Sequence, residues 1–154
     1  MLKDLLGNIW RSAPKAVRRL TTRYTQTRFT VTAAGIIVDE HSRVLLLKHR
    51  FRSGGGWGIP GGFIESGEQP EEALRRELRE EVGLEVEDVQ LFSTRTFITV
   101  KQLEILFRGR AKGGALPQSI EISKAGWFSL EELPVELPQG QQHLIRAALQ
   151  DGAK

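Results

Sequence analysis

The sequence predicts one α/β domain built on a mixed sheet, and three observations carry that expectation. The chain has 154 residues, 40% hydrophobic and 27% charged, which suits a single globular unit with a real core. Strand-like and helix-like segments interleave without a regular βαβ repeat. No run approaches about 18 uncharged apolar residues, so no membrane-spanning helix is expected.

Composition also excludes several chemistries. Cysteine is absent, which removes a disulfide scaffold, a cysteine nucleophile and a thiolate zinc site. His41, His49 and His143 are scattered, with no pair at metal-ligand spacing. The net charge of +3 is uneven, because residues 1–28 carry seven basic residues and one acidic residue. The remainder, 29–154, is mildly acidic, so bulk charge draws no nucleic acid to it. With no export signal visible, a cytoplasmic location is expected.

Each element follows from local pattern. Residues 1–28 read as a basic amphipathic N-terminal helical arm. Leu2, Leu5, Leu6, Ile9, Trp10, Ala13, Ala16, Val17 and Leu20 fall at helical spacing. Gly7 and Pro14 divide the arm into two short helices, with Ser12 a cap for the second. Such an arm packs on its own domain or a partner subunit, giving a homodimer, or touches membrane or nucleic acid. Residues 29–38 and 43–50 read as strands joined by the Asp39–Ser42 turn, a hairpin. Residues 53–62 form a glycine-rich loop broken by Trp57 and Ile59. A helix spans 70–82, with Pro70 at its first position and Gly83 at its C-cap. Residues 89–100 and 102–110 form a second hairpin turning at Lys101-Gln102, and a loop covers 112–119. Residues 126–128 make a short strand, 129–132 begin a short helix stopped by Pro134, and a last helix covers 139–149.

The chemistry concentrates in 62–84, GFIESGEQPEEALRRELREEVGL. At about 100° per residue, Leu74, Leu78 and Val82 form a core-facing stripe. Glu77, Glu80 and Glu81 fall on an adjacent stripe within about 100° of arc, with Arg75, Arg76 and Arg79 expected on the other side. Three carboxylates crowded at a core boundary repel one another and resist desolvation. A divalent cation relieves both problems, and oxygen-only ligands suit magnesium or manganese. The same string also has the composition of a solvated, salt-bridged surface helix. The flanking glycines, Gly61-Gly62 before the helix and Gly83-Leu84 after it, favour the site reading.

These residues resemble the Nudix box. Its fixed positions are filled here by Gly62, Glu68, Arg76-Glu77, Leu78, Glu80-Glu81, Gly83 and Leu84, without departure. Background composition would produce that match at roughly 10⁻⁹ per starting point. The strand pattern on both sides is also similar to that family, so the resemblance spans about 29–150.

The resemblance implies an α/β/α sandwich around a mixed central sheet, with 29–154 as the Nudix hydrolase domain. It implies Mg²⁺- or Mn²⁺-dependent hydrolysis of a pyrophosphate bond in a nucleoside diphosphate linked to another moiety. Carried over by position, it implies metal ligation by Glu77, Glu80, Glu81 and the carbonyl of Gly61 or Gly62. Arg76 then holds a glutamate in place, while Glu68, Gly61 and Gly83 order the box. The general base varies across the family: it is a box glutamate, or a downstream glutamate resembling Glu121, with Glu104 next. Trp57 either stacks on a base or packs under its loop. His49, Arg50 and Arg52 either contact phosphate or the terminal moiety, or form a solvated strand end.

Subfamily marks are missing. The ADP-ribose proline position holds Thr99-Val100, the only tyrosine is Tyr24, and the coenzyme A and NADH marks are absent. The expected substrates are therefore ADP-ribose or a nucleotide sugar first, then damaged nucleoside triphosphates. The alternative is a non-catalytic, nucleotide-binding regulatory domain, but such domains usually lose box glutamates, which this chain retains.

Overall fold

A computed structural model describes residues 7, 8, 10–51 and 56–151. Seven strands form one sheet: β1 Thr30–Val38, β2 Val44–His49, β3 Trp57–Gly58, β4 Gly61–Phe63, β5 Glu85–Phe97, β6 Gln102–Lys112 and β7 Ile122–Phe128. The helices are α1 Lys15–Thr25, α2 Pro70–Val82 and α3 Gln139–Asp151, with residues 7, 8 and 10–12 also helical before Pro14. Leu2, Leu5, Leu6 and Ile9 lie outside the described residues.

The sheet is mixed, as expected. β1 runs parallel to β6, with Ala33 beside Ile105, and every other pairing is antiparallel. The path runs β3-β2-β1-β6-β5, with β4 on β1 and β7 on β2. The central strands are apolar at consecutive positions because helices cover both faces. Ala33, Ile37, Leu45, Leu47 and Phe107 pack with Ala73, Leu74, Leu78 and Val82 of α2. Ala34, Ile36, Val44, Leu46 and Leu106 pack with Ile145 and Ala148 of α3. This is the α/β/α sandwich.

Five expectations need correction. The segment 53–62 is not wholly loop, since Trp57–Gly58 pairs with β2 and Gly61–Phe63 pairs with β1. The second hairpin turns at 98–101, β5 begins at Glu85, and β7 begins at Ile122. Residues 129–132 form a turn and not a helix. Ser129 Oγ donates to Glu132 Oε2 (2.9 Å), a local bond that closes the turn before Pro134.

Candidate active site

α2 starts in a capping box. Gln69 N–H donates to Glu72 Oε2 (3.0 Å), and Pro70 follows at a position that needs no donor. Gly83 stops it in the left-handed region (φ 66°), with its N–H returned to Arg79 O. A side chain there would also meet Gln118 Nε2 at 2.1 Å.

The loop before α2 approaches it closely. Gly61 adopts φ 151°, and a Cβ there would overlap the Ala33 carbonyl at 2.4 Å, so β4 can lie on β1 only without a side chain. At Gly62, a Cβ would sit 2.2 Å from Glu77 Oε1. The Glu77 carboxylate thus fills the space that a side chain at 62 would take.

Arg76 is the hub of this region, and the expectation that it lies opposite the glutamates is wrong. Residues 76 and 80 are only about 40° apart on a helix, so the guanidinium falls among the carboxylates. Nε and Nη2 grip both oxygens of Glu68 (3.0 and 3.1 Å), and Nη2 also donates to Phe63 O (3.0 Å). Nη1 donates to Glu77 Oε1 (2.9 Å) and more weakly to Glu80 Oε2 (3.3 Å). Arg75 and Arg79 do turn away, to Glu71 and Glu85. The Arg76 hydrogen bond, helped by the Glu65 N–H, holds the Glu68 carboxyl below the usual range. In return Glu68, then Glu77, raises the Arg76 guanidinium above its ordinary value despite burial.

The trio differs in exposure. The Glu77 side chain is 18% exposed, Glu80 is 60% exposed, and Glu81 is buried on the same helix. Among the described residues, no three acidic or histidine side chains converge on one metal position. Arg76 supplies the positive charge between Glu77 and Glu80. The donor set still fits a hard divalent ion: it is all oxygen, anionic, and lies beside side-chain-free backbone at Gly61-Gly62.

The loop carrying Glu121 is tied to the end of α2. Leu116 N–H donates to Val82 O (3.1 Å) and Gln118 N–H to Glu81 O (2.8 Å). Arg50 pins the other side, giving its N–H to Glu121 O (2.7 Å) and Nε to Ile120 O (3.0 Å). Glu121 is exposed at the start of β7. Arg50 is thereby an anchor of the Glu121 loop. His49 is half-buried at the end of β2, its N–H bonded to Gly56 O, and Arg52 lies outside the described residues. Trp57 packs edge-on against Phe128 (5.1 Å between centroids), with the Lys48 ammonium over its ring. Both are packing contacts.

Glu104 is placed differently. Its neighbour Leu106 belongs to the α3-side cluster and Ile105 to the α2-side cluster, so Glu104 shares the α3 face, away from the box helix. There it pairs with Arg95 (2.5 Å). It is also part of a row that sequence reasoning missed. Phe63, Thr32, Glu104 and Arg95 are successive register partners across β4, β1, β6 and β5. Gln102 donates to Thr32 Oγ1 (2.9 Å), and Phe63 and Phe97 are exposed beside them. The row starts at the box loop, since Phe63 is the residue whose carbonyl Arg76 holds. The available signal was polar Gln102 and Glu104 in phase with apolar Leu106.

The NUDIX domain family model matches residues 28–148. The chain is 29% identical over 106 residues to the NAD-capped RNA hydrolase NudC of Vibrio parahaemolyticus, covering 68% of this chain and 41% of that protein. It thus spans about two-fifths of the length of that relative. It is 32% identical over 124 residues to a MutT-like protein of Streptomyces ambofaciens, covering 80% of this chain and 79% of that one. In structure it resembles the NUDIX domain of Shewanella oneidensis NrtR complexed with ADP ribose (TM-score 0.75, 18% identity, covering 92% of this chain and 100% of that one), a likeness of fold.

Proposed function

The chain belongs to the Nudix family of pyrophosphohydrolases, and from that premise we propose that it hydrolyses the pyrophosphate bond of a nucleoside diphosphate linked to another moiety, with Mg²⁺ or Mn²⁺. The observation that carries this is the packing of the Glu77 carboxylate into the space at Gly62, with Glu80 and Glu81 on the same helix. Glu77, Glu80, Glu81 and the backbone carbonyl at Gly61 or Gly62 would hold the ion, which when bound neutralises phosphate charge and favours attack by water.

The chain's own residues do the rest. Arg76 is a positioning residue: its fork fixes Glu77 and Glu80 against Glu68 and the box loop. Glu121 takes the proton from the attacking water, on a loop held to α2 through Glu81 O and to β2 through Arg50. The row on the α3 face receives the nucleoside. Phe63 and Phe97 offer ring faces, and Thr32, Gln102 and the Arg95–Glu104 pair offer polar partners. ADP-ribose and nucleotide sugars are the first substrates, and damaged nucleoside triphosphates come second. Residues 29–154 form the catalytic domain and 1–28 a separate basic arm, in a cytoplasmic enzyme.

The test is metal-dependent release of nucleoside monophosphate or phosphate from a panel of these compounds. Glu80→Gln should lower turnover by about 10²-fold or more with the fold kept. If no panel member is hydrolysed but ADP-ribose still binds, the chain is a nucleotide-binding regulatory domain instead.

A further inference from the structure

The segment before β1 has a composition and a geometry that the hydrolase reading does not use. In α1, Ala16, Val17, Leu20 and Tyr24 fall within about 100° of arc, while Lys15, Arg18, Arg19 and Arg23 fall within a separate arc of about 140°. No residue of the helix is buried. Leu20 is 57% exposed and Tyr24 is 81% exposed, so the apolar stripe is not packed on the domain. Between residues 10 and 28 there is no acidic residue at all. On the basic side, Lys15, Arg18, Arg19, Thr22 and Arg23 surround an open groove that Trp10 completes. Thr21, Thr22 and Thr25 turn their hydroxyls back onto helix carbonyls, so the polar edge of the helix is satisfied internally.

We propose that residues 10–28 are a docking surface for an anionic lipid bilayer, with α1 lying in the plane of the headgroups. Charge decides between occupants. A second copy of this helix would bury Val17, Leu20 and Tyr24 but would leave the four cations of each helix facing away from the seam, with no carboxylate between residues 10 and 28 to pair them. Nucleic acid would pair the cations and leave the apolar stripe in water. A bilayer with anionic headgroups satisfies both sides at once: the stripe enters the acyl boundary and the arginines reach the phosphates. The domain edge that the chain enters after this helix carries further apolar surface. Thr30, five residues after the helix ends, bonds Lys101 O in the β5–β6 turn. That turn carries Ile98, 79% exposed, and Val100, 64% exposed, beside Lys101.

The experiment is co-sedimentation of the full chain with phosphatidylcholine vesicles containing about 30% phosphatidylglycerol, against vesicles of phosphatidylcholine alone. Binding to the anionic vesicles alone, weakened in 0.5 M NaCl, is the expected result. The variants V17S/L20S and R18Q/R19Q should each weaken it about tenfold or more, with hydrolysis of soluble substrate unchanged. Three results would overturn the proposal. One is no binding to anionic vesicles. Another is a dimer that V17S/L20S dissociates, with no vesicle binding by either form. The last is binding to a single-stranded RNA oligomer that exceeds vesicle binding and survives V17S/L20S.

Discussion

The replacement Gly62→Ala separates the chemistry of the box from its stability. Gly62 is not among the glycines of positive φ, so alanine meets no backbone strain there. Its Cβ would stand 2.2 Å from Glu77 Oε1 and 2.3 Å from Cδ, whereas ordinary contact begins at 3.4 Å. The carboxylate must therefore move by about 1 Å or more, and it can do so, being the far end of a flexible side chain. The move breaks the 2.9 Å bond from Arg76 and displaces a carboxylate oxygen proposed to hold the ion. Folding should suffer by less than about 1 kcal/mol, since alanine also restricts the unfolded chain, and the midpoint should shift by less than about 4 °C. Turnover should fall by about 10²-fold, the usual effect of a catalytic group misplaced by about 1 Å. Steady-state kcat/KM on the substrate found by the panel, at several Mg²⁺ concentrations, reads the first effect, and thermal unfolding reads the second. Wild-type kcat/KM in a folded Gly62→Ala protein would refute the reasoning.

Two further outcomes follow from the Arg76 hub. Arg76→Ala leaves Glu68 and Glu77, both largely enclosed, without their common cation. Unfolding in urea should show a lowered midpoint, and a lysine there should recover only part of the loss because it cannot grip both Glu68 oxygens. Acid unfolding should report Glu68: its folded carboxyl titrates below the ordinary 4.5, so its contribution is present above about pH 4.5 and is lost as pH falls through the lowered value. In Glu68→Gln the acid limb should shrink by the Glu68 share, leaving that of Asp39, which is also held low, and an unchanged curve would show that the pairing has no effect on folding.

The box was legible because its signals are local. Helix periodicity, the proline start, the glycine stop and the carboxylate stripe all lie within one stretch of chain, and α2 runs Pro70–Val82 as its pattern predicts. What escaped the sequence depends on partners far along the chain. Trp57–Gly58 and Gly61–Phe63 are too short and too rich in glycine to show a strand pattern and become strands by pairing with β2 and β1. The Arg76 error came from sorting residues by charge when the helical angle between 76 and 80 already put them together. The polar row over Thr32, Glu104 and Arg95 required knowing that β1 runs parallel to β6, a pairing 72 residues apart at Thr32 and Glu104 that no local pattern encodes.

The proposed hydrolysis stands or falls on ion binding at α2. Manganese titrated into the full chain with a non-hydrolysable ADP-ribose analogue, followed by electron paramagnetic resonance, measures it without relying on turnover. Saturable Mn²⁺ uptake is expected, weakening at least about tenfold in Glu80→Gln and in Glu77→Gln. Uptake of equal affinity in all three proteins, or none in the wild type, would contradict the proposal.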